Sequence, residues 1–246
     1  MELTEQKSMG LNASTLKIIA IIGMTMDHIG SAFWGQLPIL WRCILFLPGG
    51  LTFPIMAFLL TEGYRHTRDV KKYALRLLIF AAISLLPFGW ALNPTLNVIV
   101  TLLLGLITIY LYDNMKNRVG FWFAFIGITL FTTICDWPWV GIPMILCYHV
   151  ISRPKKRVII PVVFAWVLMG GMVIIEMLLN PQFVFISALP NLLYAFVGCT
   201  ATIFLLLRYN GKKGSSPKYL FYVYYPAHLL LLGLIRGFVF GIWSPF

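Results

Sequence analysis

The chain has 246 residues, of which 60% are hydrophobic and only 11% charged, well under the roughly 25% charged residues of an ordinary soluble domain. That balance excludes a soluble enzyme and calls for an all-α, polytopic membrane bundle, because only helices or closed barrels satisfy their backbone inside lipid. The net charge of +11 invites a nucleic-acid reading, but the placement of the charges argues against it.

Nine apolar runs are predicted as spans, at 15–34, 43–63, 73–92, 95–113, 119–135, 139–152, 157–179, 187–208 and 219–240. Most are close to the roughly 20 residues that one bilayer crossing needs; 119–135 and 139–152 are short enough to tilt or to form a re-entrant pair. No polar block is large enough for a second folded unit, so 1–246 is read as one domain. Basic residues gather in or beside alternate connections: Arg65, Arg68, Lys71, Lys72 and Arg76; then Lys116 and Arg118; then Arg153, Lys155, Lys156 and Arg157; then Arg208, Lys212, Lys213 and Lys218. The intervening connections, 88–94, 136–138 and 180–186, hold no Lys or Arg. By the positive-inside rule the N-terminus is cytoplasmic and the C-terminus outside. The first run holds Asp27 and His28 and ends without a small-x-small site, so a cleavable signal peptide is not expected.

Taken in chain order, the polar residues inside these runs form a short series. Lys17 and His28 stand eleven residues apart in LKIIAIIGMTMDHIG, which returns them to nearly the same helix face about 16 Å apart along the axis. Asp27, the neighbour of His28, diverges from it by about 100° and is expected to act through its field or on a partner helix. Helix-bridging hydrogen bonds are the ordinary alternative for both, worth about 0.6 kcal/mol each in membranes. Arg42 falls towards the outer face. Glu62 precedes Arg65 and His66 by three and four residues, the spacing of a surface ion pair, and the basic stretch Arg65, Arg68 and Arg76 is also suited to an anionic ligand from the cytosol. Asp113, Glu2, Glu5 and Asp69 are read as cytoplasmic, and His149 and His66 as ends of helices with little weight. Asp136 lies in an outer turn, CDWPWVG, and Glu176 near the outer end of its span. His228 follows Pro226 by two residues; the proline frees a carbonyl one turn back, so a kink lined by Tyr224, Tyr225 and His228 is one reading and a plain kinked helix with interfacial tyrosines the other. Arg236 also falls outward.

Cys43, Cys135, Cys147 and Cys199 show no metal spacing. Cys43 and Cys135 both fall near the outer face, so a disulfide stands beside the reading as small buried hydrophobes. No phosphate loop, zinc-ligand motif or nucleophile elbow is present, and no internal repeat is evident. A desolvated imidazole stays neutral and can take a proton from an attacking amine or hydroxyl, while a nearby carboxylate supports the imidazolium that forms. The chemistry this leaves is transfer of an already activated group. Acyl-coenzyme A fits, with its nucleotide at the cytoplasmic surface near Lys17 and its thioester near His28, a separation of the order of the extended pantetheine arm.

The segment LKIIAIIGMTMDHIG resembles the opening of the TraX family of integral membrane proteins. Further similarity runs along the chain: Arg42 to Pro48 as R-x-x-x-F-x-P, FPIMAFLLTEGYRHTRD at 53–69, YALRLLIFAAISLLPF at 73–88, NVIVTLLLGL at 97–106, Asp136 with Gly141, and KYLFYVYYPAHLLLL at 218–232. A basic residue, ten positions and a histidine also resemble the broader transmembrane acyltransferase superfamily. The resemblance implies acetyl-coenzyme-A-dependent acylation of a peptide, protein or glycan acceptor, as in N-terminal acetylation of pilin. It makes His28 the catalytic base and Asp27 its electrostatic partner. His228 and Tyr225 would line the acceptor side with Asp136, Glu176, Arg42 and Arg236, while Lys17, with Arg65, Arg68 and Arg76, would hold the coenzyme. No metal is expected. The rival is a proton-coupled transporter that relays protons through Asp27, His28 and His228, with a non-enzymatic membrane assembly factor third.

Overall fold

A computed structural model describes residues 10–215 and 220–243; Glu2, Glu5 and Lys218 lie outside them. Among the described residues there are nine helical segments and no strand, apart from two isolated bridges, Leu11 with Tyr209 and Leu96 with Cys135. The segments are α1 (Ala13–Ala32), α2 (Ile39–His66), α3 (Val70–Ala91), α4 (Val98–Asn114), α5 (Arg118–Ile134), α6 (Gly141–Val150), α7 (Pro154–Leu179), α8 (Phe185–Leu207) and α9 (Leu220–Phe240). They coincide one for one with the nine apolar runs. Five of them, α2, α3, α7, α8 and α9, are long and apolar enough to cross a bilayer, and α4, α5 and α6 are shorter apolar helices. The chain is a multi-pass membrane protein.

The starts of the helices are written locally. Asn12, Asp69 and Asn117 stand between apolar runs and Asn97 near the start of one, and each accepts a backbone N–H of the first turn that follows, from Thr15, Lys72, Ile99 and Gly120. Such capping side chains satisfy donors that a helix cannot satisfy for itself. Pro154 starts α7, where its missing N–H is harmless.

The chain divides into two compact units, residues 1–56 with 153–221, and residues 57–152 with 222–246. In the first unit α1 buries Leu16, Ala20, Gly23, Met24, His28 and Gly30 on one side and exposes Ile18 and Ile22 on the other. Its Gly23 packs on the Pro48 carbonyl and its Gly30 on the Phe46 ring. Pro48 belongs to a break in α2, where Leu47–Leu51 tightens into a 3-10 turn, and Phe46 directly precedes it. A matching irregularity lies in α8, where Leu193–Gly198 widens into a π turn. The two irregular turns meet: Cys199 Sγ lies 3.1 Å from the Gly50 carbonyl, and a Cβ on Gly50 or Gly198 would overlap the carbonyl oxygen of Tyr194 or Leu47. Only glycine lets two backbones approach this closely.

In the second unit side chains tie the helices. Asn97 Nδ2 donates to the Ala81 carbonyl at 2.9 Å, Thr101 Oγ1 to the Asp136 carbonyl at 2.5 Å, and Arg236 Nη1 to the Ala91 carbonyl at 3.0 Å. Tyr148, fully buried, meets the edge of Phe58 at 5.6 Å between ring centres.

Candidate functional site

In the first unit the side chains of α1 fall on two faces. At roughly 100° per residue, Lys17, Met24 and His28 share one, and Gly23, Asp27 and Gly30 share another about 100° away. His28 is only 5% exposed; Lys17 and Asp27 are half-buried. Asp27 points at the α2 turn: a Cβ built on Gly49 would lie 2.6 Å from its Cβ, 2.8 Å from its Cγ and 2.9 Å from Oδ1. The Asp27 side chain therefore packs against the bare Cα of Gly49.

The Lys17 end of α1 is fixed by a stitch absent from the sequence reading. Leu11 N–H donates to the Arg208 carbonyl and Asn210 N–H to the Leu11 carbonyl, while Ala13 and Ser14 N–H donate to the Lys212 and Lys213 carbonyls, all within 2.8–3.0 Å. Ser14 Oγ adds a bond to the Lys213 carbonyl. Gly214, at φ +74°, lies against Asn12 and Ser14 where a side chain would collide. The exposed cations Arg208, Lys212 and Lys213 are thereby held at the first turn of α1.

Arg42 and Glu176 belong to the same unit in different settings. Arg42 Nε donates to the Leu37 carbonyl at 2.8 Å and its guanidinium lies 4.6 Å from the Trp34 ring centre. Glu176 is exposed near the end of α7.

The second unit holds the remaining candidates. His228 is 7% exposed; its Nδ1 lies 2.9 Å from the Tyr224 carbonyl, its ring stacks on Tyr224 at 4.9 Å and meets the edge of Tyr225 at 5.7 Å. A carbonyl cannot donate, so Nδ1 carries a proton. Arg236 is buried on the Ala91 carbonyl. Asp136 Oδ1 accepts the Trp137 N–H at 3.1 Å; burial pushes its carboxyl up to about 6, against the lowering effect of that bond. Its turn is tightly held. Asp136 N–H donates to the Leu96 carbonyl and Trp139 N–H to Thr132 Oγ1, while Trp137 and Trp139 take φ of 60° and 59°, a left-handed conformation that costs side chains about 1 kcal/mol or more each.

Arg65 and Glu62 form the expected ion pair at 3.4 Å. Arg65 Nη2 also donates to the His149 carbonyl at 2.9 Å, and His149 Nε2 lies 2.9 Å from Asp113 Oδ1. In sequence His149 reads as a helix end of little weight and Asp113 as cytoplasmic polar sequence; α4 and α6 bring those two helix ends together. Arg76 sets its guanidinium over the Tyr73 ring at 5.4 Å, with Nε buried and lacking a hydrogen-bond partner, and Arg68 is exposed. Among the described residues no three His, Cys, Asp or Glu side chains gather as a metal site would need.

Comparison with known proteins adds three findings. The chain is 28% identical over 254 residues to a probable fimbrial assembly protein FimC, serogroup H1, of Dichelobacter nodosus, covering 95% of this chain and 99% of that one. No solved structure matches. The model of the TraX protein family matches residues 12–236, which include α1 with Lys17, Asp27 and His28, the α2 turn and most of α9. Since that match takes in nearly the whole chain, this multi-pass membrane protein belongs to the TraX family.

Proposed function

We propose that the protein is an acyltransferase of the bacterial cell membrane, with its N-terminus cytoplasmic, moving an acetyl group from acetyl-coenzyme A to an amine or hydroxyl acceptor, foremost the N-terminus of a pilus subunit. The observation that carries this reading is His28, an imidazole buried on the same face of α1 as Lys17. An ionisable group buried inside a membrane protein is expensive and needs a task. The name of the relative, a fimbrial assembly protein, supports a pilin acceptor, and the basic connections support the orientation.

His28 accepts the proton of the acceptor N–H or O–H as that atom bonds to the thioester carbon. His28 then returns the proton to the departing sulfur as the carbon–sulfur bond breaks, leaving an amide or ester and free coenzyme thiol. Asp27 stabilises the transient imidazolium. Lys17 and the stitched cations Arg208, Lys212 and Lys213 suit the phosphates of the coenzyme, about 16 Å along α1 from His28.

The test is the purified protein in liposomes, given acetyl-coenzyme A and a peptide with a pilin N-terminus. The expected result is acetylated peptide with an equal amount of free coenzyme thiol. Proton flux through the liposomes with no transfer to any amine or hydroxyl acceptor would instead establish the transporter.

A further inference from the structure

The Leu47–Leu51 turn lies between two surfaces that leave it no room. On one side Gly49 faces the Asp27 side chain, at 2.6–2.9 Å from where a Cβ would stand. On the other, Gly50 lies against the Tyr194 carbonyl, and a Cβ on Gly198 would stand 2.9 Å from Gly50 Cα. The turn is further tied to α1 by Thr52 Oγ1, which donates to the Ala20 carbonyl at 3.1 Å, and to α8 by Cys199 Sγ on the Gly50 carbonyl. The backbone contacts of Gly50 and Gly198 cannot yield, so a side chain at position 49 would be accommodated only by displacing Asp27.

We infer that Gly49 is a positioning residue of the proposed transfer: its missing side chain is the seat that holds the Asp27 carboxylate where its charge supports protonated His28. This rests on the acyltransferase reading above. The 3-10 turn and the π turn are then not irregularities of packing alone, since together they press the seat against α1. Gly49 touches no reacting atom and acts through Asp27.

A double-mutant cycle read by pH profile tests this in the full-length protein. Removing or displacing a carboxylate makes the imidazolium less favourable, so the acidic limb of kcat moves to lower pH. Asp27→Asn should lower kcat about 10- to 100-fold, since small misplacements of a catalytic charge cost about that much, and move the limb. Gly49→Ala should do the same while leaving KM for acetyl-coenzyme A unchanged, and should add less than about twofold in the Asp27→Asn background. Independent, multiplying losses, or a Gly49→Ala enzyme with an unshifted limb, would overturn the inference while leaving the acyltransferase reading intact. Absence of transfer by the parent protein would sink the reading itself. Should Gly49→Ala fail to fold, Asp27→Gly/Gly49→Ala moves the Cβ from one side of the contact to the other. Recovery of folded protein supports the seat, and failure to recover overturns it.

Discussion

Glycines 50 and 198 in the first unit let backbone rest on backbone, whereas glycines 105 and 233 in the second receive the side chains of Ile145 and Trp90. The two unlike contacts have different tolerances. A backbone carbonyl held in a helix has nowhere to go, but the end of an isoleucine can change rotamer. The first unit thus carries its most polar helix, α1, on a rigid seat, and the second ties its helices through side-chain bonds such as Asn97 to Ala81 and Arg236 to Ala91. The same contrast separates the two buried histidines. His28 has a carboxylate beside it in sequence, and His228 has its own Tyr224 carbonyl fixing which nitrogen carries the proton.

The contrast is broken most sharply by adding one methyl group to each unit. Gly50→Ala should abolish accumulation of folded protein, a loss above about 4 kcal/mol, seen as aggregation on size exclusion in detergent. Gly105→Ala should cost only about 1–3 kcal/mol, the usual penalty of overpacking a core that can adjust, and should elute as the parent does. Equal losses would remove the distinction between the units.

A smaller effect sharpens the account of the second unit. The Asp136 carboxyl is raised to about 6 by burial, so the folded protein binds its proton more tightly than the unfolded chain. The stability this proton contributes is complete below the ordinary carboxylate value near 3.9 and is lost as pH rises through about 6. Asp136→Asn keeps the oxygen that accepts the Trp137 N–H and removes the ionisation. It should be more stable than the parent by about 1–2 kcal/mol above pH 7, a figure reduced from the full shift because the residue is part-exposed, with the difference vanishing below about pH 4. Thermal unfolding across that range measures it.

Much of the architecture was legible in the residues. Nine apolar runs became nine helical segments because length and apolar content are one-dimensional properties, and the Asn and Asp caps at the helix starts act within three residues of themselves. The Glu62–Arg65 pair followed for the same reason. What escaped depends on the far side of a contact. The run 43–63 reads as one uniform span, yet it holds the Leu47–Leu51 turn, whose close packing is visible only with Asp27 on one side and Tyr194 on the other. The Asp113–His149 pair was hidden by its separation of 36 positions, and the stitch of α1 to Arg208–Lys213 by almost 200. Arg42 carries the same lesson, since the sequence placed its charge towards the outer face without showing that Leu37 and Trp34 already engage it.

The central claim is that the ring buried on α1 handles the proton of acyl transfer. Its most direct test is His28→Ala, reconstituted beside the parent protein and assayed with acetyl-coenzyme A and the pilin N-terminal peptide, with thermal unfolding measured on the same samples. The expected result is loss of transfer by about 100-fold or more with an unfolding temperature and coenzyme binding near those of the parent. A folded His28→Ala protein that acetylates the peptide at the parental rate would contradict it.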